Sequence, residues 1–390
     1  MEAAPGPWRH PVLAALLPLA AATALPLVLW HLPVLHLAPN RLVTGAPIPA
    51  DAAFGPWLWP LLVLAGLGPG LASADRGRAG AILAVLACVG GLALLLAALG
   101  TGAADLLAGH PPAARARLAS GAWIAGLGLC AGLARSARSG RLPGAGWLAA
   151  LAVAALLAGL GHGGTLDGLS LVVEFKARRD GLAQAILAHL ALAGGALALA
   201  GLVTAGLGPW RRGRGAVDLL VGGLQVVPAI ALLGGLVAAT SALLTLVPSL
   251  RAHGVSALGA GPALVGIAAY LLLPLWRGLQ GALRAPDPAS LDAARALGLT
   301  PRQILTGLRL PLGAPVLIGG VRVAAVQALG LATLAPLVGA GGLGRLVFDG
   351  MAQFAPDLIL LGALPVIALS LSAESGLSAL EAAARRRWPS

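Results

Sequence analysis

The sequence has 390 residues, of which 58% are hydrophobic and only 10% are charged, and its mean hydropathy is +0.90. Soluble domains carry about 25% charged residues, so this chain has too few polar side chains to cover a water-exposed surface. Intrinsic disorder is excluded as well, because it requires low hydrophobicity and high charge. The formal charge of +12 does not indicate nucleic-acid binding, since the arginines stand in short clusters between apolar stretches, as in membrane proteins.

The apolar stretches are continuous, which favours membrane helices over the alternating strands of a membrane barrel. The sequence therefore predicts an all-α polytopic bundle of about ten transmembrane helices. A cleaved signal peptide is the alternative for the first stretch, but three prolines and the lack of a clear small-residue cleavage site favour a retained helix. The predicted spans are residues 12–35, 56–72, 79–99, 118–134, 146–160, 182–207, 216–238, 262–283, 312–337 and 357–380.

The distribution of basic residues predicts the orientation of the chain. If both termini lie in the cytoplasm, the inner segments hold about twice as many arginines and lysines as the outer ones. The sequence therefore predicts a multi-pass protein with cytoplasmic N and C termini. The inner group includes Arg9, Arg76, Arg141, Arg211 and Arg212.

The segment before the ninth predicted span, residues 286–311, differs from the other connections. It reads PDPASLDAARALGLTPRQILTGLRLP. Asp287 is a suitable N-cap, and Pro288 suits the first helical position because no amide donor is lost there. A short helix is predicted over residues 290–297, and Gly298 can take the left-handed conformation that ends a helix.

The second half of the segment repeats the same signals. Thr300 and Pro301 predict the start of another short helix over residues 302–308, which Pro311 closes. The whole is therefore a helix–turn–helix on the cytoplasmic face. An exposed helix with small side chains can dock into a groove of a soluble partner. An ordinary connecting loop with capped helices is the alternative.

At this point the sequence resembles a known family, the permease subunits of type I ABC importers. Their cytoplasmic loop has the form EAA-x3-G-x9-I-x-L-P, and every spacing of that pattern is present here. Two identities differ, aspartate for glutamate and leucine for isoleucine, and both keep the chemical type. The matching positions are Asp292, Ala293, Ala294, Gly298, Leu308, Leu310 and Pro311.

Other segments resemble, more narrowly, permeases for glycine betaine, choline and related osmoprotectants. The N-terminal spans, with NRLVTG at residues 40–45, are similar to a long subgroup of that family. The resemblance implies an accessory membrane region at 1–165, a periplasmic linker at 166–181 and a permease domain of five spans at 182–384. The segments that carry it are GLQVVPAIALLG at 223–234, LPLWRGL at 273–279 and GVRVAAVQALGLATLAPLVGAGGLG at 320–344.

The resemblance also implies a function and a set of partners. The chain would be a permease in the bacterial inner membrane, surrounded by lipid, with no catalytic site, metal or cofactor of its own. ATP would be bound by a cytoplasmic ATPase that receives the loop. A second permease subunit, identical or related, and a periplasmic substrate-binding protein would complete the importer. An amino acid or another small solute is the alternative substrate.

Four residues within the predicted spans are candidates for the translocation path. Arg322 and Glu374 are charged and lie at similar depths in the ninth and tenth spans, so we expect them to pair. The alternative is that each side chain reaches the inner interface separately. Gln225 and Pro228 are expected to break the seventh span near the path, and a packing kink is the alternative.

Overall fold

The computed structural model describes residues 11–74, 77–138, 145–208 and 213–388. Arg9, Arg76, Arg141, Arg211 and Arg212, which contribute to the predicted orientation, lie outside these residues. The chain divides into two compact units, Met1–Ala177 and Arg178–Ser390. Each unit has a helical core of its own.

The first unit is a helical bundle with a small sheet at one end. Its largest fully buried side chains are leucines, as expected for helices that are apolar on every face. Its helices are α1 (Pro11–His31), α2 (Ala50–Phe54), α3 (Leu58–Ser73), α4 (Gly77–Leu107), α5 (Ser120–Arg138), α6 (Ala145–His162) and the start of α7 (Ser170–Leu207). Its strands are β1 (Leu35–Ala38), β2 (Ala46–Ile48) and β3 (Arg115–Leu118).

Small residues allow the helices of this unit to approach closely. A Cβ atom on Gly66 of α3 would lie 2.5 Å from the carbonyl oxygen of Ala22 on α1. Only glycine permits this contact between the two backbones. Such contacts matter in a bilayer, because lipid provides no hydrophobic force between helices.

The three strands were not predicted from the sequence. They form an antiparallel sheet in the order β2-β1-β3, with Leu35 opposite both Ile48 and Leu118. The pairing gives hydrogen-bond partners to backbone that leaves the helices. Arg117 is buried and donates hydrogen bonds to the carbonyl oxygens of Val43, at 3.0 Å, and Arg41. The NRLVTG segment is therefore the loop between β1 and β2, held by an arginine of β3.

Within its described residues, the second unit contains the rest of α7 and eight further helices. A π-helical turn, Leu305–Arg309, separates α12 from α13, and a 3-10 segment, Ala332–Val338, follows α13. The helices are α8 (Arg214–Leu224), α9 (Ala229–Leu246), α10 (Ala260–Arg284), α11 (Pro288–Ala296), α12 (Pro301–Ile304), α13 (Leu310–Leu331), α14 (Gly344–Ala352) and α15 (Pro356–Arg387).

Helices α10 and α13 pack closely in the centre of the second unit. A Cβ atom on Gly278 would lie 3.0 Å from the Cα atom of Gly320, and the reverse distance is 2.9 Å. Ile267 and Leu271 of α10 are buried beside this contact line, in the same core as Ala324 of α13. The two helices that flank the predicted coupling loop thus form one packed pair.

Among the described residues, seven helical segments are long and apolar enough to cross a membrane, and two shorter apolar helices accompany them. The predicted all-α polytopic bundle is therefore confirmed. The shorter helices, Leu16–His31 and Leu148–His162, match the first and fifth predicted spans, and α5 matches the fourth. The seven segments are Ala50–Ser73, Gly77–Leu107, Ser170–Leu207, Ala229–Leu246, Ala260–Arg284, Pro301–Val338 and Pro356–Arg387.

Two of the predicted boundaries differ from the structure. The seventh span was predicted at 216–238, but the chain leaves the helix after Leu224, and the apolar span is Ala229–Leu246. Pro228 lacks an amide donor and disfavours helical geometry in the residue before it. The predicted linker at 166–181 is helical from Ser170 onward, because α7 begins there and continues without interruption to Leu207.

Candidate coupling loop and translocation path

The coupling loop, residues 286–311, begins with α11. Asp287 occupies the N-cap position with an extended ψ of 137°, but its side chain makes no capping hydrogen bond. Pro288 follows at the first helical position, as predicted. Asp292 pairs with Arg295 one turn later, at 2.7 Å between Oδ1 and Nη1. The helix start is therefore set by the proline and the extended N-cap backbone rather than by a side-chain cap.

The turn after α11 is set by glycine. Gly298 has φ +76°, its amide donates to the carbonyl of Arg295 at 2.9 Å, and the amide of Leu299 donates to Ala294 at 3.1 Å. These two bonds make a Schellman motif, which requires the left-handed conformation that glycine adopts without strain. The predicted role of Gly298 in ending the helix is confirmed.

The second short helix starts with a capping box. The amide of Gln303 donates to the hydroxyl of Thr300 at 3.3 Å, and the amide of Thr300 donates to Oε1 of Gln303 at 2.8 Å. Pro301 stands at the first helical position. The predicted start of this helix is confirmed, and the reciprocal bonds hold it firmly against the preceding turn.

The prediction that Pro311 closes the unit is wrong. The chain remains helical from α12 through the π-helical turn into α13, and the amide of Leu310 donates to the carbonyl of Leu305. A proline inside an α-helix removes one hydrogen bond and its ring clashes with the carbonyl four residues earlier. The wider π turn directly before Pro311 avoids that clash, so the loop joins the membrane helix without a break.

The loop presents an accessible surface. Asp292 and Ala293 are exposed, and Leu297 is 80% exposed although it is apolar. Ala294 of α11 and Ile304 of α12 are buried. A cavity of about 580 Å³ lies beside them, lined mainly by small and apolar side chains.

The predicted path residues fall into two groups that contact different helices. Gln225 ends α8, and its Nε2 donates to the carbonyl of Tyr270 on α10 at 2.8 Å. The hydroxyl of Tyr270 donates in turn to the carbonyl of Val227, directly before Pro228. The break between α8 and α9 is therefore fixed to α10 by two hydrogen bonds.

The second group joins α13 to α15. Nη1 of Arg322 donates to Oε1 of Glu374 at 2.5 Å, so the predicted pair is present. Nε of Arg322 lies 3.4 Å from Oε2 of Glu381, close enough for an ion pair but not aligned as a hydrogen bond. Glu381 also pairs with Arg385 at 2.7 Å. Two arginines and two glutamates thus form a continuous set of ion pairs along α13 and α15, which we call the charge chain.

Comparison with known proteins bears on both the loop and the extra N-terminal helices. Residues 9–172 match a family described as the N-terminal domain of the ABC transporter permease YehY. Residues 198–386 match the inner membrane component of binding-protein-dependent transport systems.

Curated relatives are similar over the second unit. The chain is 39% identical over 139 residues to the carnitine transport permease protein OpuCB of Listeria monocytogenes, covering 35% of this chain and 64% of that one. It is 30% identical over 173 residues to the choline transport system permease protein OpuBB of Bacillus subtilis, covering 44% and 71%. It is 34% identical over 148 residues to the osmoprotectant import permease protein OsmW of Salmonella typhimurium, covering 38% and 64%.

The chain belongs to this family of osmoprotectant permeases. The predicted resemblance, including the long subgroup with extra N-terminal spans, is confirmed. The chain is a multi-pass membrane protein, and the relatives that it resembles are transport permeases. The chain spans less than two thirds of the length of the Listeria carnitine permease OpuCB, at 64%.

Three residues that form side-chain contacts between helices of the second unit were not predicted. Glu381 lies seven residues after Glu374 and so faces the same side of α15, a spacing that could have revealed it. Tyr270 is the only tyrosine in the sequence, and this indicated its role at the break only weakly. Asp218 accepts a hydrogen bond from the indole of Trp276 at 2.5 Å, and no sequence spacing connects these two residues.

Proposed function

We propose that this permease forms the translocation path of an ATP-driven importer for an osmoprotectant such as glycine betaine or choline. The observation that carries the proposal is the exposed helical hairpin of the coupling loop, ordered by its own caps and continuous with α13. The relatives named for carnitine, choline and osmoprotectants support the substrate class. The accessory region is assigned to 1–165 and the permease domain to 182–384, and the residues between them include the first turns of α7 rather than a separate linker.

In this proposal the coupling loop docks into a cleft of a separate cytoplasmic ATPase, which binds the ATP. Asp292 and Ala293 are exposed on α11 and would contact the ATPase, whereas Ala294 is buried and would hold the hairpin together. Gly298 sets the angle between the short helices. The backbone stays helical through Leu308, Leu310 and Pro311. Movement of the docked loop would therefore be transmitted directly to α13.

The path itself is assigned to the second unit. Gln225 and Pro228 form the break between α8 and α9, and Arg322 and Glu374 form a charge pair between α13 and α15. An interrupted helix exposes backbone carbonyls, and such groups are tolerated in a membrane only where they line a cavity or are covered by protein. A charged pair at membrane depth is also typical of a substrate path.

The remaining parts of the importer follow from the same assignment. The permease lies in the bacterial inner membrane, with both termini and the coupling loop on the cytoplasmic side. A second permease subunit, either a copy of this chain or a relative, completes the path, and a periplasmic binding protein delivers the solute. The excess of arginine in the inner segments supports this orientation.

The test is to express the full chain with its neighbouring ATPase and binding protein and to isolate the complex. We expect the ATPase to co-purify and reconstituted vesicles to accumulate radiolabelled glycine betaine or choline only with ATP. Deleting residues 290–297 should abolish co-purification while the chain still inserts into the membrane. Accumulation of an amino acid instead would contradict the proposed substrate, and uptake without an ATPase would contradict the proposed mechanism.

A further inference from the structure

Phe354 has a backbone conformation that residues other than glycine rarely adopt. It lies between α14 and α15 with φ +51°, and among the described residues it is the only non-glycine residue with a positive φ. Its amide donates to the carbonyl of Met351 at 3.2 Å, and the amide of Ala355 donates to the carbonyl of Gly350 at 2.8 Å. These two bonds form a Schellman motif, in which Phe354 holds the left-handed position that ends α14.

The same motif occurs at three other turns in the described part of the second unit, each with glycine at the left-handed position. Gly254, Gly298 and Gly339 have φ between +76° and +82°, and each lies within the same pair of backbone bonds. Glycine takes this conformation without a steric cost, whereas a Cβ atom there approaches the following carbonyl oxygen. The turn at Phe354 would therefore form more easily with glycine.

Burial of the side chain does not offset this cost. Phe354 is 77% exposed, and Met351, which accepts its amide hydrogen, is 55% exposed. We call these two side chains the tip knob, because they lie where α14 turns into α15. Backbone strain that no contact within the chain repays is typical of functional positions, so the tip knob indicates a contact with another molecule.

The tip knob is held rigidly at the end of the second unit opposite the coupling loop. A Cβ atom on Gly350 would lie 2.7 Å from the amide nitrogen of Ile359, so α14 and the start of α15 form a tight antiparallel hairpin. The coupling loop precedes α13 and the tip knob follows it, so one crossing by this helix, about 33 Å long, separates the two. With the coupling loop in the cytoplasm, the tip knob faces the other side of the membrane.

Charged side chains near the tip knob place it in water. Asp349 of α14 and Gly181 of α7 line one cavity, so the end of α14 lies beside the start of α7 in the second unit. There Arg179 and Asp180 are exposed, as is Arg345 of α14. Such groups are costly to leave in hydrocarbon. An exposed aromatic side chain with a polar surround has the composition of an anchor at a protein interface.

The small area of the tip knob favours a soluble partner that docks transiently. A fully buried aromatic side chain contributes about 150–250 Å², whereas specific stable interfaces bury more than about 1,000 Å². A second permease subunit must stay associated and therefore needs a larger surface than this one. A partner that docks and leaves can rely on one well-buried anchor in a pocket.

We propose that Phe354, with Met351 beside it, is the anchor by which this permease docks the extracytoplasmic solute-binding protein. The inference rests on the proposed function and assigns contact residues within it. The binding protein would present an apolar pocket for the phenyl ring, bordered by polar groups that face the charged surround. Glycine at position 354 would give a more relaxed turn and weaker docking.

The test measures ATP hydrolysis by the complete complex in lipid nanodiscs while purified binding protein, loaded with glycine betaine, is titrated. Phe354→Gly removes the ring and keeps the left-handed turn. We expect the concentration for half-maximal stimulation to rise at least about tenfold, with basal hydrolysis unchanged. The unfolding temperature should not fall, because the substitution relieves strain. A residue with a merely structural role would instead lower the unfolding temperature.

Three further variants serve as controls. Phe354→Asn also tolerates the left-handed region and should weaken docking as Phe354→Gly does. Met351→Ala should weaken docking less, since it leaves the aromatic ring in place. Leu371→Ala removes an exposed apolar side chain elsewhere on α15 and should change neither the titration nor the unfolding temperature.

Three outcomes overturn the proposal. One is an unchanged half-maximal concentration for both Phe354→Gly and Phe354→Asn. Another is a lower unfolding temperature or poorer insertion with unchanged docking, which would make the ring a structural element or a lipid anchor. The third is dissociation of the two permease subunits, measured by light scattering, which would assign the tip knob to the second subunit.

Failure of the tip knob and failure of the proposed function are distinguishable. If the unsubstituted complex responds to the binding protein and Phe354→Gly responds at the same concentrations, only the tip knob is wrong. If the unsubstituted complex neither binds the binding protein nor is stimulated by it, the proposed importer fails, and the tip knob fails with it.

Discussion

At the scale of single residues, Arg322 is the centre of the charge chain between α13 and α15. Its side chain is 29% exposed and contacts two carboxylates, Glu374 at 2.5 Å and Glu381 at 3.4 Å. The sequence predicted the first contact because both residues lie at similar depths in neighbouring spans. It missed Glu381, although the seven-residue spacing places this carboxylate on the same side of α15 as Glu374.

The charge chain predicts an order of stability among two variants. Arg322→Gln leaves two carboxylates near each other without their shared cation, whereas Glu374→Gln leaves Arg322 paired with Glu381. We expect Arg322→Gln to lower the free energy of unfolding by about 1–3 kcal/mol, less than for a fully buried pair because solvent screens it, and Glu374→Gln to lower it less. Thermal unfolding in nanodiscs measures both.

A control for this comparison is Arg386→Gln on the same helix. Arg386 is exposed in the last turn of α15, so its loss should change the unfolding temperature little. Equal destabilisation by Arg322→Gln and Glu374→Gln would show that Glu381 does not share the arginine.

Gly298 provides a second prediction at this scale. A Cβ atom there would meet no atom within 4 Å, so a substitution acts only through the backbone, which has φ +76°. Gly298→Val should reduce ATP-driven uptake strongly, because a β-branched residue in this conformation costs about 1–2 kcal/mol and shifts the angle of the hairpin. Gly298→Asn should retain most uptake, since asparagine tolerates the left-handed region. Equal uptake by both variants in reconstituted vesicles would contradict this role of the turn.

At the scale of elements, the break between α8 and α9 is the main departure from the sequence-based spans. Both sides of the break are apolar, so hydropathy alone predicted one helix at 216–238 across it. Pro228 was noted as a source of irregularity, but the length of the break depends on Gln225 and Tyr270, which are 45 residues apart. Contacts over such a separation are set by the packing of α10 and not by local sequence.

The tether at the break predicts a local effect of Tyr270→Phe. The substitution keeps the ring and removes the hydroxyl that donates to the carbonyl of Val227. We expect the amides from Gln225 to Ala229 to exchange hydrogen faster, by up to about tenfold, in line with the loss of one hydrogen bond. Exchange in α15 should stay unchanged and is the internal control. Unchanged exchange at the break would mean that Gln225 and Pro228 hold it without the tyrosine.

At the scale of the whole molecule, the chain contains two units with separate cores. The family match at 198–386 lies in the second unit, and the match at 9–172 lies in the first. The coupling loop and the charge chain both belong to the second unit. Its contacts with an ATPase should therefore not require the first unit.

This division predicts the behaviour of a truncated chain. A chain lacking residues 1–162 retains all of α7 and should still co-purify with the ATPase, because the loop and its supporting helices are complete. Its yield should be lower, since Leu166 and Leu169, which are buried in the core of the first unit, lose their cover. Affinity purification of the tagged ATPase measures the association. Loss of association in a chain that still inserts would show that the first unit supports the loop.

The sequence by itself determined the membrane class, most of the helices, the caps of the coupling loop and the family. These features depend on local composition and on spacing along a few turns, which the chain carries wherever it folds. Only the tertiary structure decided the small sheet, the continuous helix through Pro311, the sharing of Arg322 by two carboxylates and the tether of the break between α8 and α9 to Tyr270. Each of these depends on residues far apart in the chain or on how neighbouring turns fit together, and close packing rather than local preference selects among the arrangements that the sequence permits.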